Sequence, residues 1–138
     1  PFTFLNDVTM ADVAFAASGK TLKTLFESCG KAVIASMANP TTVKKKISKK
    51  FTIKATTIDR LLFEFLEEII YLKDKEGMVF ATISATVNQK KNTATGTLKG
   101  DTIKPTEQEL HQDVKAVTMH YWHITHDKNW HAQVVLDI

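Results

Sequence analysis

The chain has 138 residues, of which 43% are hydrophobic and 24% charged; these are the proportions of one soluble globular domain with a single core. No apolar run approaches the roughly 20 residues that span a bilayer, and no signal-peptide pattern opens the chain. A net charge of +3 and a pI near 9.0 permit a polyanionic partner without requiring one. The single Cys29 excludes an internal disulfide and a Cys-rich zinc site, and fits a reducing, cytoplasmic setting. Pro1 is not an initiator methionine, which implies a processed or trimmed start.

In chain order, residues 8–17 read as a first strand broken near Asp12, and Ser18-Gly19-Lys20 as a turn. Thr21 is suited to cap a helix over 22–38. Leu22, Leu25, Phe26, Cys29, Ala32, Val33 and Met37 form one apolar stripe on it, so Cys29 is expected to pack rather than react. Gly30 inside this helix suggests close packing, and Asn39-Pro40 ends it. Lys44, Lys45, Lys46, Lys49 and Lys50 then cluster. They suit RNA phosphates, and equally a solvated, charged edge strand that resists aggregation. Phe51, Ile53 and Ala55 alternate as a strand.

Thr57 is expected to cap a second amphipathic helix over 58–72, striped by Ile58, Leu61, Leu62, Phe65, Leu66, Ile69 and Ile70. Asp59 suits its dipole, and Gly77 a left-handed close. From residue 78 the period changes to two, and Val79, Ala81, Ile83, Ala85 and Val87 mark a strand. A turn at 88–92 leads into a half-polar strand over 93–100, expected near a sheet edge. After a polar loop over 104–112, residues 113–126 read as the longest strand, paired through Asp127-Lys128-Asn129 with residues 130–138. Helices and strands are grouped rather than alternating. The fold class is therefore α+β, one domain with mainly antiparallel sheet and two amphipathic helices.

All five histidines lie in the last 28 residues. On a regular strand His120 and His123 face opposite ways, and His120 and His126 stand ~20 Å apart, too far for one zinc ion. No nucleophile elbow occurs, and Asp113 and His120 fall on opposite faces of one strand. Acids remain: Asp12, Asp74, Glu76, Asp113 and Asp137 all lie at element ends. Asp137, the α-carboxylate of Ile138 and Asp12 would give an all-oxygen donor set. Such a set selects Ca²⁺ or Mg²⁺, whereas a penultimate Asp is ordinarily a solvated end.

Ala11-Asp12-Val13, then Gly19-Lys20-Thr21-Leu22 and Phe26-Glu27, resemble the opening motifs of the archease family. Leu61-Leu62-Phe63-Glu64-Phe65-Leu66-Glu67-Glu68 is similar to its second helix, and Asp74-Lys75-Glu76-Gly77 to the segment that follows. Val114-Lys115-Ala116-Val117-Thr118-Met119-His120 and the ending Gln133-Val134-Val135-Leu136-Asp137-Ile138 resemble its later motifs. The resemblance implies a small α+β accessory protein, not an enzyme, that promotes guanylylation and turnover of an RtcB-type RNA ligase in tRNA splicing. RNA would be met only indirectly or weakly, and no membrane is involved. It also implies a divalent cation, calcium first with magnesium or manganese as alternatives, held by Asp12, Asp137 and Ile138. Lys73, Asp74 and His120 are expected to support the ion or a partner. Thr9 and Met10 stand where the family has His-Thr, Lys73 where many members have His, and Met119 where it has Tyr. His111 and Gln108 replace a common His/Lys arrangement. Alternatives are a divergent metal-dependent phosphoryl-transfer enzyme using His120 as base, and an RNA-binding or chaperone-like module using the 44–50 lysines.

Overall fold

The computed structural model describes residues 1–5 and 12–138. Among these residues seven strands and two α-helices follow in order, with a short 3-10 turn at Pro40–Thr42: β1 (Phe2–Leu5), β2 (Val13–Gly19), α1 (Leu22–Met37), β3 (Ile47–Lys54), α2 (Ile58–Glu76), β4 (Met78–Asn88), β5 (Thr93–Thr102), β6 (Ala116–His126) and β7 (Trp130–Asp137). The strands form two antiparallel sheets, ordered β1-β2-β7-β6 and β3-β5-β4. The architecture is α+β, as the grouping of the elements implies. Strand β1 has no counterpart in the sequence reading, which opens its first strand at Val8; residues 8–11 lie outside the described residues.

Both helices start where the sequence places them. Thr21 caps α1 reciprocally with Thr24: the Thr24 amide donates to Thr21 Oγ1 at 3.2 Å and the Thr21 amide to Thr24 Oγ1 at 3.0 Å. Such a cap contributes about 1 kcal/mol. Helix α1 lies against β2 of one sheet and β4 of the other, so its apolar stripe joins the two. Gly30 lets it approach β4 closely, since a Cβ there would come within 2.8 Å of Ile83 Cδ1. Helix α2 runs four residues past the expected end, because Lys73-Asp74-Lys75-Glu76 are all acceptable helix formers. The stop is Gly77, at φ 61° and ψ 45°. Its stripe packs into one continuous core that includes Phe15, Phe26, Phe51, Phe65, Phe80 and Leu98. Phe65 meets Phe26 edge-on and Phe51 at a tilt, with ring centroids 5.2 Å from each. Each fully buried Leu or Phe contributes about 1.5–3 kcal/mol.

The half-polar β5 is the centre of its sheet, not near an edge. Its polar residues Thr93, Thr95, Thr97 and Lys99 point away from the helices, while Ala94, Gly96 and Leu98 are buried. A solvated face on an antiparallel sheet gives a central strand the same alternation as an edge strand. Gly96 leaves room for Phe51, whose Cζ would lie 2.4 Å from an added Cβ. The strand read over 113–126 begins at Ala116, and at 11 residues β6 equals rather than exceeds β4. It also carries a wide bulge: Thr118 pairs with Val135, but His123 is the next residue paired, with Gln133. Three extra residues are looped out there, and Tyr121 takes φ 55°. The bulge breaks the face alternation from which the histidines are sorted in the sequence.

Cys29 is fully buried on α1, as its place on the stripe requires, and burial pushes its thiol up to about 12. The folded protein should therefore resist a thiol reagent at pH 8, with labelling appearing only in denaturant and tracking the unfolding transition. Rapid modification under native conditions would contradict this packing.

Candidate functional site

One end of the β2–β7 pair, the C-terminal turn of α1 and the crossing segment 103–115 converge on a single corner. The strand register there is fixed by burial. Val134, Val135 and Leu136 are fully buried, and Val13 pairs with Leu136. The next residues outward on the two strands are Asp12, at a bend, and Asp137, the last residue of β7. On its other side Asp137 pairs with Ala116, and its carbonyl accepts a hydrogen bond from the Lys115 amide at 2.8 Å. Asp12 is half-buried, whereas Asp137 and Ile138 are exposed. The strand is thus buried up to Leu136 and wet beyond it. The acids at its end keep their water, and the fold does not need an ion to tolerate them.

Asp12 lines a cavity of about 330 Å³ with Leu5, Ser36, His111 and Gln112. A neighbouring cavity of about 230 Å³ holds Lys73, Asp113, Ile103 and Leu110, and His111 and Gln112 border both. His111 is held firmly. Its amide donates to Met37 O at 2.8 Å, its ring Nδ1 lies 3.0 Å from Ala35 O, and Nε2 lies 2.8 Å from Glu109 Oε2. A carbonyl only accepts, so Nδ1 must carry a proton, and the carboxylate favours a second one on Nε2. The Ala35 carbonyl first, then Glu109, accordingly hold the imidazole above its ordinary pKa.

Lys73 is the other organised charge. Its side chain is 7% exposed, and Nζ donates to Asp113 Oδ1 at 2.7 Å and Val114 O at 2.8 Å, with Asp74 Oδ1 at 2.9 Å. Burial pulls the ammonium pKa down, but hydrogen bonds to Asp113 and Asp74 together with their charges outweigh it, and the net shift is upward. Asp113 is held below the usual carboxylate range, chiefly by its hydrogen bond from Lys73. Lys73, Asp74 and Asp113 therefore form one ion cluster beside the cavities. Asp113 is occupied by Lys73, not by His120.

His120 stands apart, exposed on the β6 bulge, its ring 4.3 Å from that of Tyr121. It lines neither cavity. His111 is the residue that sequence reasoning underrated: in a polar loop no periodicity reports on it, and only the crossing segment's contacts with α1 bring it to the corner.

Among the described residues no group of three or more His, Cys, Asp or Glu side chains could hold a metal ion. Asp12 and Asp137 are two side-chain donors, both oxygen. Where Ile138 ends the chain, its α-carboxylate supplies a third group of the same hardness, so the donor chemistry fits Ca²⁺ or Mg²⁺ rather than zinc.

The chain matches the model of the Archease protein family over residues 2–138. It is 33% identical over 132 residues to the protein archease of Pyrococcus furiosus, covering 93% of each chain. The archease of Methanothermobacter thermautotrophicus is 30% identical over 135 residues, covering 96% of this chain and 95% of the other. The solution structure of protein 1598 of Methanobacterium thermoautotrophicum superposes with a TM-score of 0.85 at 29% identity, covering 99% and 98% of the two chains. A crystal structure from Thermotoga maritima, described as an archease and "possible chaperone", shares the fold at a TM-score of 0.64 and 17% identity, covering 94% and 93%. No helix among the described residues is long and apolar enough to cross a membrane.

The Lys73 cluster yields a stability prediction. Replacing Lys73 with Met leaves the buried Val114 carbonyl without its donor and should cost about 1–3 kcal/mol. Asp113→Asn should cost less than about 1 kcal/mol, because that carboxylate is 80% exposed. A depressed carboxyl pKa gives stability above the unfolded value of about 3.9 and loses it as pH falls through the folded value. Thermal melts from pH 7 to pH 2 should show wild type and Asp113→Asn converging below that range; a constant gap would contradict the ion pair.

Proposed function

This chain belongs to the archease family, and from that premise we propose that it is a non-catalytic accessory protein of an RtcB-type RNA ligase. Its role is to promote guanylylation and turnover of the ligase in tRNA splicing, with a divalent cation carried at the corner. The reading rests on the full-length family match together with the strand register that sets Asp12 and Asp137 just beyond the Val13–Leu136 pair. Asp12, Asp137 and, where it ends the chain, the Ile138 carboxylate would hold the ion, calcium first. A bound divalent ion supplies charge neutralisation beside nucleotide phosphates.

The protein's own contribution is placement. Two separate strands hold the acids at fixed spacing, and the exposure of Asp137 leaves that side open to a partner. Beside Asp12, His111 ties the crossing segment to α1, and in the neighbouring cavity Lys73 ties it to α2.

A guanylylation assay with the cognate ligase tests this reading. Wild-type protein should accelerate ligase guanylylation, and Asp12→Ala or Asp137→Ala should reduce that stimulation at least tenfold with the fold intact. No stimulation by wild type, or full stimulation by both variants, refutes it. Titration calorimetry should show Ca²⁺ binding that both variants weaken, and that weakens again when residues are appended after Ile138. Phosphoester turnover by the isolated protein, lost in Asp137→Asn, would favour an enzyme instead.

A further inference from the structure

The outward face of the β3-β5-β4 sheet has an unusual composition. Register places Ser48, Lys50, Thr52 and Lys54 of β3 opposite Lys99, Thr97, Thr95 and Thr93 of β5, and these opposite Thr82, Ser84, Thr86 and Asn88 of β4. Every one of these side chains is a hydroxyl, an amide or an ammonium; none is acidic, aromatic or aliphatic. Lys90 and Lys91 stand in the turn at one end, and Lys44, Lys45 and Lys46 precede β3 at the other. With Lys49, nine of the chain's 18 cationic side chains lie on or around this sheet. Among the described residues only Lys49 of these nine has an ion-pair partner, Glu76 at 3.6 Å, and Lys49 belongs to the opposite face.

Protection of an exposed edge explains part of this pattern, since β3 is an edge strand. It does not explain Lys99, which is on the central strand, or the lysines of the β4–β5 turn. We propose that this face binds the sugar–phosphate backbone of double-stranded RNA. Ammonium groups neutralise phosphates, and serine and threonine hydroxyls donate to phosphate oxygens. A protein partner would need apolar or aromatic anchors at the centre of its footprint, and this face offers none. A single strand would need rings on which to stack its bases, and these are absent too. Three strands ~4.8 Å apart make a strip ~10 Å wide. Such a strip suits the wide, shallow minor groove of an A-form duplex with its 2′-hydroxyls, rather than the narrow minor groove of B-DNA. Lys50 and Lys99 are diagonal neighbours ~7–8 Å apart. Recognition is of shape and charge, without sequence preference.

The binding face is separate from Asp12 and Asp137, so it can fail while the ligase reading stands, and the reverse. The test is fluorescence anisotropy of the full chain with a labelled RNA duplex of about 16 base pairs, a span known for shape-reading RNA domains, titrated across salt. Wild type should bind it more tightly than the same-sequence DNA duplex, single-stranded RNA or anionic phospholipid vesicles. Lys50→Gln/Lys54→Gln/Lys99→Gln should weaken binding at least tenfold and reduce the slope of log affinity against log salt by about three. The matching triple Arg variant should retain affinity, as should Asp12→Ala/Asp137→Ala. An equal charge change elsewhere, Lys20→Gln/Lys31→Gln/Lys128→Gln, should have less than a threefold effect. Absence of duplex RNA binding, an equal loss in the displaced-charge control, or tighter binding to DNA, single strands or vesicles overturns the proposal.

Discussion

Lys73 delivers an ammonium group into an interior that offers it little water, and three oxygens from two chain segments meet it there. Two of those oxygens are carboxylates with a solvated side, so they supply charge without a large desolvation penalty of their own. The third, the carbonyl of Val114, belongs to the segment that crosses from β5 to β6. That contact, with the bond from the Lys115 amide to the Asp137 carbonyl, fixes where β6 begins relative to the end of β7. The β6 side of the corner inherits its geometry from this arrangement, whereas Asp12 is placed by the pairing of β2 with β7.

The elements whose residues bury a face were legible in the sequence. The α1 and α2 stripes, Thr21 and Thr57 as caps and Gly77 as a left-handed stop follow from local rules and recur in the fold. The β6–β7 hairpin is equally local. Features that depend on partners were not legible. Strand β1 is four residues long and exists through its pairing with β2. The centrality of β5 depends on which strands flank it, information that alternation does not contain. The bulge in β6 inserts residues that hold to no period. Trp122 then turns inward onto Phe63 at 5.7 Å, against the order that regular alternation from Val117 would give.

The corner divides in the same way. Asp12 and Asp137 can be picked out because acids at the ends of apolar strands are conspicuous, and the register confirms that their strands pair. Asp137 is solvated, as a penultimate acid ordinarily is, although the strand that leads to it is buried at Val134, Val135 and Leu136. His111 was hidden because its importance comes from backbone carbonyls of α1, and carbonyls carry no side-chain signal. Lys73 was visible as a helix-end residue, but its burial depends on a loop some forty positions away.

Each helix sends one carboxylate sideways to an outer strand: Glu27 of α1 accepts from the Ala85 amide of β4 at 2.9 Å, and Glu67 of α2 from the Val117 amide of β6 at 3.2 Å. Both strands lie at the margin of their sheet. An amide there would otherwise look outward with nothing to bind but water or another molecule. The arrangement has a kinetic corollary. Strands that pair during refolding before the helices dock leave those amides bare, and that interval is when chains at high concentration can cross-pair. In the folded chain the docked helices close both of these openings, so the two outer strands offer fewer bare amides to a neighbouring chain.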